Sequence, residues 1–119
     1  MKRVAVLVLE NDDFLRDALV RMLNKLPCNV TAVSCPAEAL KLLDGGFVPA
    51  VVISDLKMPG MDGDEFCKIF LQRFPNVPVT LLSGTPEVYQ RGHAAGATHI
   101  RMKPLLAADL KVFIEEVQG

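Results

Sequence analysis

The chain has 119 residues, half of them hydrophobic, and a formal net charge of -1 at pH 7. This size can bury a core without disulfides or a structural metal, so we expect one domain over residues 1–119 and no second domain. Acidic and basic residues are interspersed and nearly balanced, which gives no electrostatic basis for binding nucleic acid or an anionic membrane surface.

The first apolar run and the cysteines bear on the compartment. Residues 4–9 are far fewer than the ~20 residues of a membrane span. The acidic residues that follow them do not fit a signal-peptide cleavage site. Cys28, Cys35 and Cys67 form no CxxC pair, and an odd number argues against a disulfide framework. We therefore expect a reduced, cytoplasmic protein whose cysteines act as small apolar side chains.

The first half of the chain alternates between strand and helix patterns. Residues 4–9 (VAVLVL) form a short β-branched run, which is typical of a strand buried on both faces. Apolar residues then recur at helical spacing over residues 14–26, until Pro27 ends the pattern. Residues 29–34 predict a weaker strand near the sheet edge, and residues 36–43 predict a short helix that ends before two glycines.

The second half continues the alternation through three more strands and three more helices. The strands are expected at residues 50–54, 77–82 and 98–102. Thr85 is the expected N-cap of the fourth helix, with Pro86 at its first position. The third and fifth helices are predicted from apolar residues at helical spacing, namely Phe66, Ile69 and Phe70, and Leu110, Phe113, Ile114 and Val117. Five strands alternating with five helices predict a doubly wound α/β fold with a parallel sheet.

Polar residues stand at the carboxyl ends of four predicted strands. In an open parallel sheet this edge binds ligands, near the point where the strand order reverses. The residues are Glu10 and Asn11 after the first strand, Asp55 after the third, Ser83 and Gly84 after the fourth, and Lys103 and Pro104 after the fifth.

These residue types suit phosphoryl chemistry. Clustered oxygen ligands favour a hard cation such as Mg²⁺. A cation, a hydroxyl and a lysine together offset the charge of phosphoryl oxygens. An aspartate among them, Asp55, can act as a nucleophile that carries an aspartyl-phosphate. Gly84 leaves room for a phosphoryl donor to approach.

Four segments, in order and at fitting spacings, carry a family resemblance that covers essentially the whole chain. They are VLVLENDD, VVISDLKMPGMDGDEF, PVTLLSG and GATHIRMKPL. The chain resembles the receiver domains of two-component response regulators. The resemblance implies a flavodoxin-like, five-stranded parallel sheet with strand order 2-1-3-4-5. It also implies a cis peptide bond between Lys103 and Pro104.

The resemblance assigns roles to individual positions. Asp55 is the implied phosphoacceptor, supported by Lys103 and Ser83. The implied ligands of Mg²⁺, or of Mn²⁺ in its place, are Glu10, Asn11, Asp55 and the backbone carbonyl of Lys57. The implied phosphate-binding residues are Ser83, Gly84 and Lys103. The resemblance does not assign a role to the Lys57 ammonium, which can approach the phosphate or stay in solvent.

The implied function is a phosphorylation-dependent switch. A sensor histidine kinase or a phosphotransfer protein donates a phosphoryl group from a phosphohistidine to Asp55. The phosphate then changes the face formed by the fourth helix, the fifth strand and the fifth helix. That face controls an output domain or a target protein, and homodimerisation on phosphorylation is a further option. The domain catalyses only its own phosphorylation and dephosphorylation, so it is not an enzyme that acts on a metabolite.

Two positions depart from the family pattern. Asn11 stands where the family usually has a second acid, so we expect Mg²⁺ to bind more weakly here. Ile100 stands where many receivers have an aromatic residue whose rotamer moves with the Ser/Thr shift. Tyr89 is the only tyrosine available to substitute for it. Asp62 and Asp64 are expected to be loop and first-turn residues, and His93 and His99 to have surface or packing roles. No site function is expected of these four residues.

Three alternatives remain from other classes of protein. A pseudo-receiver, which is an interaction module independent of phosphorylation, is supported only by Asn11 and Ile100. Aspartyl phosphatases commonly have a second Asp two residues after the nucleophile, where this chain has Lys57. A flavin-binding module is disfavoured because no Ser/Thr/Gly-rich phosphate loop follows the first strand.

Overall fold

The computed structural model describes residues 3–118, in which strands and helices alternate strictly. The strands are β1 (Val4–Leu9), β2 (Cys28–Val33), β3 (Val51–Asp55), β4 (Val79–Ser83) and β5 (His99–Met102). The helices are α1 (Asp13–Leu23), α2 (Pro36–Asp44), α3 (Gly63–Arg73), α4 (Glu87–Ala95) and α5 (Ala107–Gln118). None of these helices is long and apolar enough to cross a membrane.

The five strands form one parallel sheet in the order β2-β1-β3-β4-β5, which confirms the expected fold. Because β1 lies between β2 and β3, the chain reverses its direction of winding there. The carboxyl ends of β1 and β3 therefore flank the crevice where ligands bind in such sheets. In the register of the sheet, Asp55 at the end of β3 pairs with Leu82 of β4, one residue before Ser83.

Two apolar cores cover the two faces of the sheet. The alternation of side chains along β1 serves both, because Leu7 and Leu9 enter one core while Val6 and Val8 enter the other. The first core is formed with α2, α3 and α4, and the second with α1 and α5. The continuously apolar sequence of β1 follows from this burial on both sides. Each buried Leu or Phe stabilises the fold by roughly 1.5–3 kcal/mol.

Several predicted boundaries move by one or two residues, and that of α1 moves further. The apolar pattern predicted a helix to Leu26, but α1 ends at Leu23 with Asn24 as its C-cap. Leu26 still packs against the core from a turn in which its N–H donates to the Leu23 carbonyl at 2.9 Å. The turn after α1 therefore places its apolar side chain where a further turn of helix would, so the helical spacing of the sequence continues past the end of the helix.

The capping prediction is corrected at α4. The structure has Pro86 rather than Thr85 at the N-cap of α4, with no side-chain capping bond. The Thr85 hydroxyl instead contacts Ser83 Oγ at 3.2 Å and Glu87 Oε1 at 3.4 Å. At the start of α5, the Asp109 carboxylate accepts from the Leu106 N–H at 3.2 Å. This is the reverse bond of a capping box.

The cysteines fit the role of small apolar side chains. Cys28 and Cys67 are buried in the two cores, and all three cysteines are free thiols. Burial raises the pKa of the Cys67 thiol to about 11, so this thiol stays protonated and unreactive at neutral pH.

Candidate functional site

Three charged side chains meet where β1, β3 and β5 end. Glu10 and Asp55 are each only 1% exposed. Lys103 Nζ lies 2.8 Å from Asp55 Oδ1 and 3.0 Å from Glu10 Oε1, so the ammonium bridges both carboxylates. We call Glu10, Asp55 and Lys103 the buried triad. The predicted cis peptide between Lys103 and Pro104 is confirmed.

The hydrogen bonds of the buried triad are unevenly distributed. Glu10 is well satisfied, because it accepts from Lys103 through Oε1 and from the Asp12 N–H through Oε2, each at 3.0 Å. Asp55 Oδ1 meets the Lys103 ammonium at 2.8 Å, and beyond this ion pair it has no hydrogen-bond partner among residues 3–118. One ammonium shared by two carboxylates therefore leaves Asp55 less fully satisfied than Glu10.

Burial and the neighbouring carboxylate make Asp55 a weak acid. The pKa of Asp55 is raised to about 8, chiefly by burial and also by the adjacent Glu10, while Lys103 opposes the rise. Burial alone would raise the pKa of Glu10, but bonds to Asp55, Asp12 and Lys103 hold it below its usual value. Burial likewise opposes the charge of Lys103, yet its two carboxylate partners raise its pKa. The triad therefore binds a proton readily at neutral pH, and Asp55 is its site.

Asp55 owes its position to a close approach of two backbones. A Cβ atom on Gly63 would lie 1.8 Å from the Asp55 carbonyl oxygen, so only glycine fits at the start of α3. The Gly63 N–H donates to the Leu56 carbonyl at 2.6 Å, which ties α3 to the end of β3. Sequence reasoning missed Gly63. Its only sequence signal is a glycine at the first position of a helix, directly after Asp62.

Asn11 and the Lys57 backbone lie on the open side of Asp55. With its amide nitrogen turned toward the loop, Asn11 donates to Asp55 Oδ2 at 3.1 Å and to the Lys57 carbonyl at 3.3 Å. The opposite orientation would set the amide oxygen against these two acceptors, so hydrogen bonding favours the first one. Asn11 thus contacts two of the three other groups that the sequence proposed as ligands of Mg²⁺, namely Asp55 and the Lys57 carbonyl.

The donor set fits a divalent cation. The terminal amide atom of Asn11 lies 3.1 and 3.3 Å from oxygens of Asp55 and Lys57. Neighbouring ligands around Mg²⁺, with bonds of about 2.0–2.1 Å, are ~3 Å apart. No group of three or more His, Cys, Asp or Glu side chains among residues 3–118 is arranged to hold a metal. The amide and the backbone carbonyl would therefore have to supply ligands that carboxylates cannot.

Ser83 and Gly84 form the opposite wall. Ser83 is only 6% exposed, and its hydroxyl accepts from the Thr85 N–H at 3.2 Å. A Cβ atom on Gly84 would meet no atom within 4 Å, so this wall is open to solvent. All the residues proposed from the sequence line one open pocket of about 390 Å³, namely Glu10, Asn11, Asp55, Lys57, Ser83, Gly84 and Lys103.

A second charged group lies on the surface beside the pocket. Arg91 of α4 binds Asp64 through two nitrogens, at 2.8 and 2.9 Å, and binds Asp62 Oδ2 at 2.8 Å. The Arg91 hydrogen bond lowers the pKa of Asp62. The Lys57 ammonium lies 3.5 Å from Glu87 and 3.8 Å from Asp62. We call Lys57, Asp62, Asp64, Glu87 and Arg91 the surface network.

The surface network adds contacts that the sequence interpretation did not include. Asp62 and Asp64 do lie in the loop and the first turn of α3, but they also anchor α4. No local sequence pattern could reveal this, because Arg91 is 27 and 29 residues away. The open question about the Lys57 ammonium is answered in part, since it pairs with carboxylates of the loop and of α4.

The departure at Ile100 has a structural counterpart in α4. A Cβ atom on Gly92 would lie 2.9 Å from Ile100 Cγ1, so the two residues pack in direct contact. Tyr89 lies on α4 with half of its surface exposed. His99 has the expected packing role, because its ring stacks on Phe113 with centroids 4.6 Å apart.

Comparison with known proteins places these observations in a family. The model of the response regulator receiver domain matches residues 6–115. A protein-glutamate methylesterase/protein-glutamine glutaminase of Shewanella oneidensis is 36% identical over 98% of this chain and 33% of its own length. The DNA-binding transcriptional regulator NtrC of Escherichia coli is 34% identical over 77% of this chain and 21% of its own length.

The solved structures agree with this assignment. The chemotaxis response regulator CheY4 of Vibrio cholerae superposes with a TM-score of 0.84 at 28% identity, over 98% of this chain and 99% of that one. The chain spans a third or less of the length of the curated relatives named above. By its sequence match and its fold, the chain belongs to the response regulator receiver domain family.

Proposed function

We propose that the domain accepts a phosphoryl group on Asp55 from the phosphohistidine of a sensor histidine kinase or a phosphotransfer protein. The observation that carries the proposal is the Asp55 carboxylate itself. It is buried, lines an open pocket, and pairs through Oδ1 with the Lys103 ammonium at 2.8 Å, with no further hydrogen-bond partner for that oxygen among residues 3–118.

The side chains of the pocket divide the work of the transfer. An ionised Asp55 oxygen attacks phosphorus, the phosphorus–nitrogen bond breaks, and the imidazole leaves with that electron pair. Lys103 stays beside the carboxylate and offsets the charge of the phosphoryl oxygens. Ser83 gives up its contacts with Thr85 and donates its hydroxyl to a phosphoryl oxygen. Gly84 leaves the approach of the donor open.

The raised pKa of Asp55 sets a condition on this reaction. Only the ionised carboxylate is a nucleophile, and a pKa of about 8 leaves much of Asp55 protonated at neutral pH. A Mg²⁺ or Mn²⁺ ion held by Asp55, Asn11, the Lys57 carbonyl and Glu10 would supply the positive charge that favours ionisation. Hydrolysis of the acyl phosphate returns the domain to its starting form, so the domain turns over no metabolite.

The output is proposed to pass through the face formed by α4, β5 and α5. Large apolar side chains of this region are exposed to solvent, which suits a surface that binds an output domain or a target protein. They are Tyr89, Met102, Leu106 and Val112. Homodimerisation through the same face is compatible with this proposal, and so is the cytoplasmic location expected from the sequence. The kind of output is not decided by the relatives, which include both a methylesterase and a DNA-binding regulator.

The test is the intact mass of the protein after incubation with a small acyl phosphate donor and Mg²⁺. We expect the wild type to gain one phosphate and Asp55→Ala to gain none. Asp62→Asn is the matched control, because it removes an acid of the adjacent loop outside the buried triad, and it should gain phosphate as the wild type does. A wild type that gains no phosphate would favour the interaction module, and a gain that survives Asp55→Ala would place the acceptor elsewhere.

A further inference from the structure

Asn11 contacts the same two oxygens that a divalent cation would share. In the orientation that hydrogen bonding favours, its amide nitrogen donates to Asp55 Oδ2 at 3.1 Å and to the Lys57 carbonyl at 3.3 Å. Two acceptors held this close to a third group need either a donor or a cation between them. A carboxylate at residue 11 could only act through the cation, because an ionised carboxylate has no hydrogen to donate.

A carboxamide can meet both needs by turning over. One end of the group is a donor of two hydrogens and the other end is an acceptor, so rotation by about 180° exchanges them. We infer that Asn11 is a two-position cap on the metal site, whose nitrogen bridges Asp55 and Lys57 without a cation and whose oxygen ligates the cation when one binds. The inference takes the pocket as a metal site from the proposed function and adds a competition within it.

Other roles for Asn11 find less support in its surroundings. The N-cap of α1 is Asp12, whose carboxylate accepts from the Leu15 N–H at 2.9 Å. Asn11 is exposed and belongs to neither apolar core, so its side chain contributes no apolar packing there. Its bonds to the Asp55 side chain and the Lys57 backbone are instead directed into the pocket.

The competition has two consequences. Binding of Mg²⁺ must break both amide hydrogen bonds, and the site also has one negative charge fewer than with an acid at residue 11. Both effects weaken Mg²⁺ binding. In return, the amide holds the Asp55 carboxylate and the Lys57 carbonyl in place when Mg²⁺ is absent. Asn11→Asp should reverse both consequences, because it adds a charge and removes the bridge.

The first experiment follows the Asn11 side-chain amide by NMR in ¹⁵N-labelled full chain. The two amide protons, assigned by their loss in Asn11→Asp, should exchange slowly with water without Mg²⁺ and faster at saturating Mg²⁺. Asn76, an exposed asparagine before β4 at the opposite edge of the sheet, provides the reference. Exchange as fast as that of Asn76 without Mg²⁺, or no change on adding Mg²⁺, would overturn the inference.

The second experiment measures Mg²⁺ affinity by titration calorimetry. We expect Asn11→Asp to lower the dissociation constant by ~five-fold or more, as one added charge beside a divalent cation suggests. Without Mg²⁺ the same variant should unfold at a lower temperature than the wild type. Asn76→Asp adds the same charge at the opposite edge and should change neither quantity. An Asn11→Asp variant that binds Mg²⁺ no more tightly would contradict the competition.

The two proposals can fail separately. Neither experiment uses a phosphodonor, so a domain that takes no phosphate can still show the Asn11 exchange. Conversely, if Asp55 is phosphorylated but the Asn11 side chain does not respond to Mg²⁺, the proposed function stands and only the inference about Asn11 fails.

Broadening of the Asn11 and Lys57 resonances by traces of Mn²⁺, without broadening at Asn76, would locate the cation independently of affinity. Equal broadening at all three residues would count against the site.

Discussion

Two groups of charged side chains lie side by side at the carboxyl edge of the sheet, and they differ mainly in their access to water. The buried triad has two carboxylates that are each 1% exposed and share one ammonium. The surface network has two cations and three acids, with side chains from 13% to 59% exposed. Both groups carry a formal net charge of -1 when every member is ionised.

The same kinds of ion pair have opposite effects in the two places. Burial raises the pKa of Asp55 to about 8 despite a lysine at 2.8 Å. On the surface, Arg91 lowers the pKa of Asp62 because little burial opposes the attraction. The loss of hydration therefore decides the sign at Asp55. Direct interactions decide it at Glu10 and Lys103, the other members of the triad, and at Asp62 of the network. The triad holds a weakly acidic carboxylate at a cost in stability, whereas the network joins α4 to α3.

Removal of the shared ammonium should have the largest effect. Lys103→Met leaves two buried carboxylates without a cation, and breaking a buried pair in this way costs about 3 kcal/mol. Urea unfolding at pH 7.5 should show this loss. The loss should shrink at pH 5, because protonation of the carboxylates then removes the repulsion. Lys111→Met on the exposed side of α5 is the control. If Lys103→Met loses no more stability than the control, burial of the two carboxylates is not what makes the loss of the ammonium costly.

Removal of the Asp55 charge should instead stabilise the fold. The folded pKa of Asp55 lies above its usual value of 3.8, so ionising it in the folded state costs free energy. That cost is absent below about pH 4 and complete above pH 8. Asp55→Asn should therefore be more stable than the wild type by about 2 kcal/mol at pH 8, with the difference vanishing near pH 4. The expected gain in stability is well below the free energy that corresponds to the full pKa shift of Asp55. The reason is that Lys103 keeps only one carboxylate partner in the variant.

Thermal unfolding from pH 4 to pH 8 measures this difference. For a domain of this size, 2 kcal/mol corresponds to a rise of about 6–8 °C in Tm. Asp17→Asn, on the exposed side of α1, serves as the control and should leave the pH dependence as it is. An Asp55→Asn variant that is less stable at pH 8 would mean that the ion pair with Lys103 outweighs burial.

The buried triad was far more predictable from the sequence than the surface network. Glu10, Asp55 and Lys103 each follow a recognisable strand, and parallel strands bring their carboxyl ends to one edge whatever the details of packing. The resemblance to receivers supplied the strand order and the cis peptide. Even so, the apolar spacing predicted that α1 continues to Leu26, beyond its actual end, because a turn can bury the same side chains as a helix.

The contacts that the sequence did not reveal depend on packing between elements. Arg91 reaches Asp62 and Asp64 only because α4 packs beside the first turn of α3. Gly63 is required because one backbone oxygen lies where its side chain would be. The bridging orientation of Asn11 likewise depends on the position of the Lys57 carbonyl. Periodicity identifies which residues face a core, but it does not identify partners that are 27 or more residues apart.

A smaller loss of stability is expected when the surface network loses the Arg91 guanidinium. Arg91→Met should cost about 1 kcal/mol, since exposed ion pairs contribute little each and Arg91 makes two close ones. Arg91→Lys keeps the charge but loses the two-nitrogen contact with Asp64, so it should recover less than half of the loss. Urea unfolding at low salt and at 1 M salt, where screening is nearly complete, should show the difference shrinking.

Arg73 offers the comparison for that measurement. It forms one exposed ion pair, with Asp44 at 2.8 Å, so Arg73→Met should cost less than Arg91→Met. Equal losses for the two variants would mean that the shared contacts with Asp62 and Asp64 add nothing to α4 docking.

The smallest effect is expected at Lys57, a member of the network that also lines the pocket. Its side chain is 59% exposed and lies 3.5 Å from Glu87 and 3.8 Å from Asp62, distances at which water competes well. Lys57→Met should change stability by less than about 0.5 kcal/mol. A double-mutant cycle with Glu87→Gln, measured by urea unfolding, should give a coupling of the same small size. A coupling above about 1 kcal/mol would show that the ion pair between Lys57 and Glu87 is shielded from water as the buried triad is. The contrast between a buried triad and a solvent-exposed network would then not hold at Lys57.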